Sequence, residues 1–351
     1  MTKSREKRLW TYHGAMRARL EVGELTVELP TAKGWVRPVE GVSFRLGQGE
    51  SLGVVGESGS GKTILALALM GLTPPGARVQ GQAILHLAES RTARAKDNRR
   101  AENRVVELVR ASTEEMRAIR GAQIGMIFQE PMTALDPVLR VGGQIEEAIR
   151  AHERATSRDE VRRRAIEALE RAAVPEPARR ARQYPHELSG GLRQRALIAM
   201  ALSAGPSVLI ADEPTTALDV TVQAQILELL AGLRRNLNLS LIFITHDLGV
   251  VAQIAERVLV MYAGRIVEEG PAHKVLRDPK HPYTEGLLRA APRLRRCKVR
   301  PIPGAVPALD ALPAGCSFGP RCERHISDCD AAVPELRRVN SERQARCIRA
   351  Q

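Results

Sequence analysis

The sequence predicts an α/β fold built around a parallel β-sheet, and two stretches of the chain carry this prediction. Between Val208 and Met261, apolar strand-like segments alternate with a helical pattern, as in strands joined by crossover helices. Earlier, the apolar segment Leu52 to Val55 leads through a glycine-rich loop into a predicted helix at Ile64 to Met70. With 351 residues and 44% hydrophobic content, the chain can bury a large core.

The composition divides the chain further. Helical patterns dominate from about residue 131 to 188 and predict a helical subdomain, whereas a polar, charged stretch at about residues 87–105 predicts a surface insertion. Beyond Gly270, Pro, Gly and Cys become frequent and the periodicity fades. We therefore expect a first domain over residues 1–270 and a C-terminal extension over residues 271–351.

Charge and hydropathy bear on the compartment. The net charge of +13 could serve to bind a nucleic acid or an anionic membrane surface. The favoured interpretation is that it reflects Arg-rich helices whose polar faces are solvated. The longest apolar run, Ile64 to Leu72, is about half of the roughly 20 residues that a membrane-spanning helix needs. The charged N-terminus lacks the apolar stretch of a secretory signal, so we expect a cytoplasmic protein.

The glycine-rich loop Gly56 to Thr63 reads GESGSGKT and fits the P-loop pattern G-x-x-x-x-G-K-[ST] between a strand and a helix. Glycines let backbone N–H groups face a phosphate, and the helix N-terminus adds partial positive charge. Lys62 is expected to reach the outer phosphates of a nucleotide, and the Thr63 hydroxyl is expected to bind Mg²⁺. The predicted nucleotide-binding residues of this loop are Gly56, Ser58, Gly59, Ser60, Gly61, Lys62 and Thr63.

The second motif, VLIADEP at Val208 to Pro214, is an apolar strand that ends in two carboxylates. Asp212 fits the Walker B role of holding Mg²⁺, and Glu213 lies where it can polarise an attacking water. The alternative is that the acidic pair only caps the next helix.

With these motifs, the segment LSGGLRQR at Leu188 to Arg195 resembles the signature motif of the ABC ATPase family. The resemblance implies a P-loop NTPase fold of the ABC type, with a parallel-sheet core, an antiparallel β subdomain and a helical subdomain. It also implies that Ser189, Gly190 and Gly191 contact the γ-phosphate held by the other subunit of a dimer. The glycines and the helix start behind them suit that role.

Further residues match the family one by one. Gln129 resembles the Q-loop residue that touches Mg²⁺ and water, Asp219 resembles the D-loop, and His246 resembles the switch histidine at the γ-phosphate. Trp35 is a candidate for the aromatic residue that stacks on adenine, with Leu29 as the alternative occupant of that position. The resemblance makes Glu213, His246 and Gln129 the predicted catalytic residues.

The C-terminal extension resembles that of the oligopeptide/dipeptide and nickel importers, through DPKHPYTEGLL at Asp278 to Leu288 and the later GCSFGPRC. This resemblance implies an ATPase that powers import of a peptide or related small solute at the cytoplasmic face of the cell membrane. It also implies two transmembrane permease subunits, a second ATPase subunit and an extracytoplasmic solute-binding protein as partners, and no nucleic acid. The alternative is a soluble ABC ATPase acting on nucleic acid or ribosomes, although the sequence lacks sustained heptads and a second P-loop.

All five cysteines lie in the extension, and four have the spacing C-x5-C-x6-C-x17-C. Disulfides are disfavoured because cytoplasmic thiols are kept reduced, which leaves a structural zinc ion or an iron–sulfur cluster. Resemblance to the peptide importers favours a [4Fe–4S] cluster over Zn²⁺. The predicted ligands are Cys316, Cys322, Cys329 and Cys347, with Cys297 left as a free thiol.

Overall fold

The computed structural model describes residues 17–87, 104–129, 134–153, 155–216, 218–291 and 301–350. The chain divides into two units. Unit 1 comprises Met1–Leu85, Glu107–Arg110 and Phe243–Gln351, and unit 2 comprises His86–Val106 and Ala111–Ile242. Cys297 and most of the predicted charged insertion lie outside the described residues.

Strands and helices both occur in each unit. The strands are β1 (Ala18–Thr31), β2 (Gly34–Gly47), β3 (Ser51–Val55), β4 (Arg78–His86), β5 (Val105–Glu107), β6 (Ile124–Ile127), β7 (Val208–Asp212), β8 (Ser240–Thr245), β9 (Arg257–Tyr262), β10 (Arg265–Pro271), β11 (Arg337–Asn340) and β12 (Arg343–Ala345). The α-helices are α1 (Lys62–Leu69), α2 (Thr113–Ile119), α3 (Val141–Arg150), α4 (Arg158–Arg171), α5 (Pro177–Arg180), α6 (Gly190–Leu202), α7 (Val220–Leu237), α8 (Leu248–Ile254), α9 (Ala272–Arg277) and α10 (Pro282–Ala290).

An antiparallel sheet forms the first part of unit 1. β1 pairs with β2 in a long hairpin, and β4 pairs with the other edge of β1. Leu20, Val22, Leu25 and Val27 of β1 are buried, and a register shift between Val22 and Leu25 keeps both pairs on the core side. This sheet is the antiparallel β subdomain implied by the family resemblance.

A second sheet in unit 1 carries the glycine-rich loop. β3 and β9 run parallel, with Leu52 opposite Arg257, and β9 turns back into β10 as an antiparallel hairpin. Every residue of β3 and β9 is buried, as is typical of parallel strands covered on both faces. β12 and β11 continue the sheet, so its order in this unit is β3-β9-β10-β12-β11.

The C-terminal extension shares the core of unit 1. Tyr283 and Phe318 from the extension pack against Tyr262 of β9, with ring centroids 4.6 and 5.3 Å from the Tyr262 ring. Strand β12 pairs with β10, with Ala345 opposite Glu268. The units therefore do not divide at Gly270, where the composition changes, because residues on both sides of Gly270 bury the same apolar surface.

Unit 2 contains helices α2 to α7 and the strand pair β6 and β7. The two strands run parallel, with Ile124 opposite Val208. Ser112 caps α2 and Ser157 caps α4, each by accepting a backbone N–H three residues later. The helical pattern predicted over about residues 131–188 corresponds, among the described residues, to α3, α4 and α5. In the described part of the chain, we find no helix of the length and apolarity that a bilayer crossing requires.

A buried ion-pair triad holds strand β9 in unit 1. The Arg257 Nε donates to Glu50 over 2.8 Å, and the same guanidinium pairs with Glu269 of β10. All three side chains are at most 10% exposed. Burial raises the pKa of Glu269, and the nearby Arg257 cation opposes that rise. The Arg257 guanidinium therefore contacts both buried carboxylates.

We expect Arg257→Met to destabilise the protein by about 3 to 5 kcal/mol, because it removes the guanidinium that contacts two buried carboxylates. Denaturant unfolding followed by circular dichroism measures this. The matched control is Arg163→Met, which removes a pair with Glu160 on the exposed face of α4 and is expected to leave the stability nearly unchanged. Equal losses in the two variants would contradict a structural role for the triad.

Candidate nucleotide-binding site

The P-loop in unit 1 joins β3 to α1, and two of its glycines are sterically required. A Cβ on Gly56 would lie 2.3 Å from the Met261 carbonyl oxygen, and a Cβ on Gly61 would lie 1.9 Å from the Pro38 carbonyl oxygen. Gly61 also has φ of 99° at the start of α1, a left-handed conformation that favours glycine. The loop can therefore follow this path only with glycine at both positions.

Lys62 extends its side chain back along the loop. Its Nζ donates to the carbonyl oxygens of Gly56 at 2.7 Å and Glu57 at 2.9 Å, and to the Ser60 hydroxyl at 3.2 Å. The side chain is buried, so its ammonium group is held inside the loop and does not extend into solvent. A buried ammonium group beside a helix N-terminus is suited to bind phosphate, and Thr63 lies in the first turn of that helix.

The acidic pair in unit 2 stands at the end of β7. Asp212 is buried as the last residue of the strand. Glu213 follows with φ of 46°, a left-handed conformation that costs a non-glycine residue about 1 to 3 kcal/mol. Thr216 holds this residue twice, because its hydroxyl donates to Glu213 Oε2 over 2.9 Å and its N–H donates to the Glu213 carbonyl. Thr216 was not predicted as a functional residue, although a hydroxyl three residues after the carboxylate is visible in the sequence.

Neither member of the acidic pair caps the next helix. Asp219 does so instead, because its carboxylate accepts the N–H groups of Thr221 and Val222 at the start of α7. The helix-cap alternative for Asp212 and Glu213 is therefore wrong. The predicted contact of Asp219 with nucleotide stays a prediction.

The signature segment in unit 2 forms the N-terminus of α6. Ser189 is the N-cap residue and its hydroxyl accepts the Leu192 N–H. Ser189 and Gly190 are exposed, whereas Gly191 packs so closely that a Cβ there would lie 2.8 Å from the Val222 side chain. The exposed Ser189 and Gly190 therefore place the N-terminus of this 13-residue helix at the surface, a suitable anion-binding arrangement.

Gln129 and His246 both follow parallel strands. Gln129 is exposed two residues after β6, immediately before residues 130–133, which are not described. His246 is exposed directly after β8. The next residue, Asp247, accepts the Gly249 N–H and starts α8, which fixes the backbone on which His246 stands. Both residues are placed at the carboxyl ends of strands, where α/β folds bind their ligands.

Trp35 lies at the tip of the β1–β2 hairpin, opposite Pro30. Its side chain is 45% exposed, and the Arg78 guanidinium lies 3.8 Å from the ring centroid. Leu29, the alternative occupant, pairs with Val36 one position further along the same hairpin. The adenine-stacking role of Trp35 stays a prediction, with one ring face already covered by a cation.

The four predicted ligand cysteines of the extension line one pocket, together with His281 and Phe318. All four are free thiols. Burial raises the pKa of the Cys316 thiol, and backbone N–H donation from Phe318 and Gly319 opposes that rise. No group of three His, Cys, Asp or Glu side chains in the described residues is arranged to hold a metal ion.

The predicted site residues are divided between the two units. Unit 1 contains the P-loop, Trp35 and His246, and it also contains the four cysteines. Unit 2 contains the remaining residues, which are Gln129, Ser189, Gly190, Gly191, Asp212, Glu213 and Asp219.

Two family profiles match the chain. The profile described as ABC transporter matches residues 39–216, about half of the chain, and includes the P-loop, the signature segment and the acidic pair. The profile described as the oligopeptide/dipeptide transporter C-terminal region matches residues 267–329. The second match includes Cys316, Cys322 and Cys329 but ends before Cys347.

Relatives and solved structures agree with these matches. A peptide import ATP-binding protein of Brucella melitensis is 51% identical over 323 residues, 89% of this chain and 91% of that protein. An oligopeptide transport ATP-binding protein of Mycobacterium bovis is 46% identical over 95% of this chain, which spans 52% of that longer protein.

Among solved structures, a dimeric bacterial ABC transporter cassette has a TM-score of 0.60 at 28% identity, over 72% of this chain and 98% of that one. A dimeric ATP-binding cassette in a post-hydrolysis state, bound to ADP and phosphate, has a TM-score of 0.59 with the same identity and coverage. The chain therefore belongs to the ABC transporter family and is one of its ATPases.

Proposed function

We propose that this ATPase powers the import of peptides or of a related small solute. The observation that carries the proposal is 51% identity to a peptide import ATP-binding protein along 89% of the chain. The C-terminal match to the oligopeptide/dipeptide transporter region supports the same solute class. Because this subunit works on ATP, the chemical identity of the solute is set by other subunits.

In this proposal, each predicted polar group has a task at the nucleotide. Lys62 and the P-loop N–H groups bind the phosphates, and the exposed start of α6 contacts the γ-phosphate bound by a second ATPase subunit. Thr63, Asp212 and Gln129 hold Mg²⁺, and their oxygen donors match the ligand preference of that ion. Glu213 accepts a proton from the attacking water, with His246 and Gln129 beside the transferred phosphoryl group.

The proposed assembly is a pair of ATPase subunits under two transmembrane permease subunits, at the cytoplasmic face of the cell membrane. An extracytoplasmic solute-binding protein delivers the solute. The dimeric state of the related cassette supports the pairing of ATPase subunits. Nothing favours the alternative of a nucleic-acid ATPase. Part of the positive charge is compensated locally by neighbouring glutamates. Arg163 of α4 pairs with Glu160, and Arg150 of α3 pairs with Glu146.

Genetic complementation tests the proposed solute class. Cells that lack this gene and depend on an external peptide for an essential amino acid are expected not to grow, and the wild-type gene is expected to restore growth. A Lys62→Ala gene, expressed to the same level, is expected to fail because the variant lacks the phosphate-binding cation. Normal peptide-dependent growth of the deletion strain would refute peptides as the solute.

We also propose that Cys316, Cys322, Cys329 and Cys347 bind a [4Fe–4S] cluster. All four thiols face one pocket, and the thiol groups of Cys316 and Cys322 accept backbone N–H donors, an environment that suits thiolate ligands. Zinc is the rival, because four cysteines also suit a tetrahedral structural site, but the tight C-x-x-C pairs typical of zinc ribbons are absent from the sequence.

Anaerobic purification followed by metal and sulfide analysis tests the cluster. We expect about four iron and four sulfide per chain, lost in Cys322→Ser and retained in Cys297→Ser, since only Cys322 belongs to the proposed ligand set. One zinc per chain without iron would replace the cluster by a zinc site. Absence of both metals would refute the site.

A further inference from the structure

The P-loop residue Glu57 is held by the C-terminal extension through two separate contacts. Its backbone N–H donates to the Tyr283 hydroxyl over 2.8 Å. Its carboxylate receives both terminal nitrogens of Arg321, at 2.7 and 3.1 Å. A two-pronged guanidinium–carboxylate pair fixes the orientation of both groups as well as their distance.

Glu57 in turn contacts the phosphate-binding lysine. Its carbonyl oxygen accepts a hydrogen bond from Lys62 Nζ over 2.9 Å. The N–H, carbonyl and carboxylate of one residue are therefore bound to Tyr283, Lys62 and Arg321 respectively. A displacement of Arg321 or Tyr283 that shifts the Glu57 backbone also moves a carbonyl that positions the Lys62 ammonium.

Arg321 is itself fixed by the extension. Its side chain is 4% exposed, its Nε donates to the Pro303 carbonyl over 2.9 Å, and a terminal nitrogen approaches the Tyr262 hydroxyl at 3.4 Å. It ends a short 3₁₀ turn, Gly319–Arg321, that runs between Cys316 and Cys322. Because both hydrogen bonds to the Glu57 carboxylate come from this anchored arginine, the extension determines the position of the Glu57 side chain.

We propose that Arg321 and Tyr283 are positioning residues for ATP binding, acting through Glu57 on the P-loop. The extension is therefore part of the nucleotide-binding machinery although its residues do not belong to the P-loop. This inference rests on the proposed role of the P-loop in binding ATP. It predicts that a change in the extension alters nucleotide affinity more than it alters the chemical step.

A double-mutant cycle on Arg321→Gln and Glu57→Gln tests the proposal, with ATP Kd measured by calorimetry and KM and kcat measured in the purified protein. Each single variant is expected to raise Kd and KM about 3- to 30-fold, with kcat at saturating ATP within about twofold of the wild type. The double variant is expected to bind ATP about as well as the single variant with the higher Kd, because both substitutions break the same Arg321–Glu57 ion pair. Arg321→Lys, which keeps the charge but not the fork, is expected to recover part of the affinity.

Controls separate this mechanism from misfolding and from failure of the P-loop assignment. Arg289→Gln removes another ion pair of the extension, with Glu285 and Glu323, and is expected to leave Kd unchanged. Glu57→Gln changes no residue of the extension, and unfolding curves of both single variants, matched to the wild type, show that the extension stays folded. The proposal would be overturned if the losses of affinity in the two single variants multiplied in the double variant. It would also be overturned if Kd were unchanged in both single variants while Lys62→Ala lost affinity. If Lys62→Ala also binds ATP normally, the P-loop assignment itself is wrong.

Discussion

Glu213→Gln is expected to bind ATP with the affinity of the wild type and to hydrolyse it at least about 10²-fold more slowly, because a carboxamide cannot accept the proton of the attacking water. The substitution is nearly isosteric. The Thr216 hydroxyl can still donate to the amide oxygen, so the left-handed backbone at this position should be retained. ATP binding and steady-state phosphate release, measured on the same preparation, separate the two effects.

The control for Glu213 is Glu228→Gln, which removes an exposed carboxylate from α7 in the same unit. This variant should hydrolyse ATP at the wild-type rate. Turnover of the Glu213 variant at the wild-type rate would exclude it as the general base. Loss of ATP binding would instead indicate that the variant perturbs the loop after β7 rather than the chemical step.

Ser189→Glu is expected to abolish hydrolysis at the P-loop of the opposite subunit, because it places a carboxylate at the exposed N-cap of α6, where it repels the γ-phosphate. Mixed dimers of differently tagged copies locate the effect. With Ser189→Glu in one copy and Lys62→Ala in the other, one complete site remains and hydrolysis should persist. With both substitutions in one copy, each site has lost one component and hydrolysis should cease.

The two arrangements give opposite results if the signature acts on its own P-loop. In that case the dimer with both substitutions in one copy keeps an intact second site, and the dimer with divided substitutions has none. The shared site would therefore be contradicted if the dimer with both substitutions in one copy were active and the dimer with one substitution in each copy were inactive. Dimers with two wild-type copies and the same tags provide the reference rate.

The fold was predictable where the signal is local. The apolar segments Leu52 to Val55 and Val208 to Ala211 are continuous, and the structure places each in a buried strand. The GESGSGKT sequence identifies its own loop, because glycine is required where Gly56 and Gly61 approach other backbone atoms. The family assignment followed from short motifs whose residue types are dictated by phosphate chemistry.

The features that escaped prediction depend on contacts between distant residues. Glu57 occupies a variable position of the P-loop pattern, and its partners Tyr283 and Arg321 lie 226 and 264 residues further along the chain. The aromatic packing of Phe318 likewise joins the extension to the core, which is why fading periodicity after Gly270 did not mark the edge of a unit. The left-handed backbone of Glu213 gives no sequence signal, because glutamate rarely adopts it.

The central claim is that ATP hydrolysis by this chain drives import of a peptide or related solute. The direct measurement is accumulation of labelled peptide in proteoliposomes that contain the complete complex, with the ATPase subunits on the side that receives ATP. We predict accumulation that requires ATP, the solute-binding protein and wild-type Glu213, and that stops with Glu213→Gln. ATP hydrolysis at the normal rate without accumulation of any peptide tested would contradict the claim.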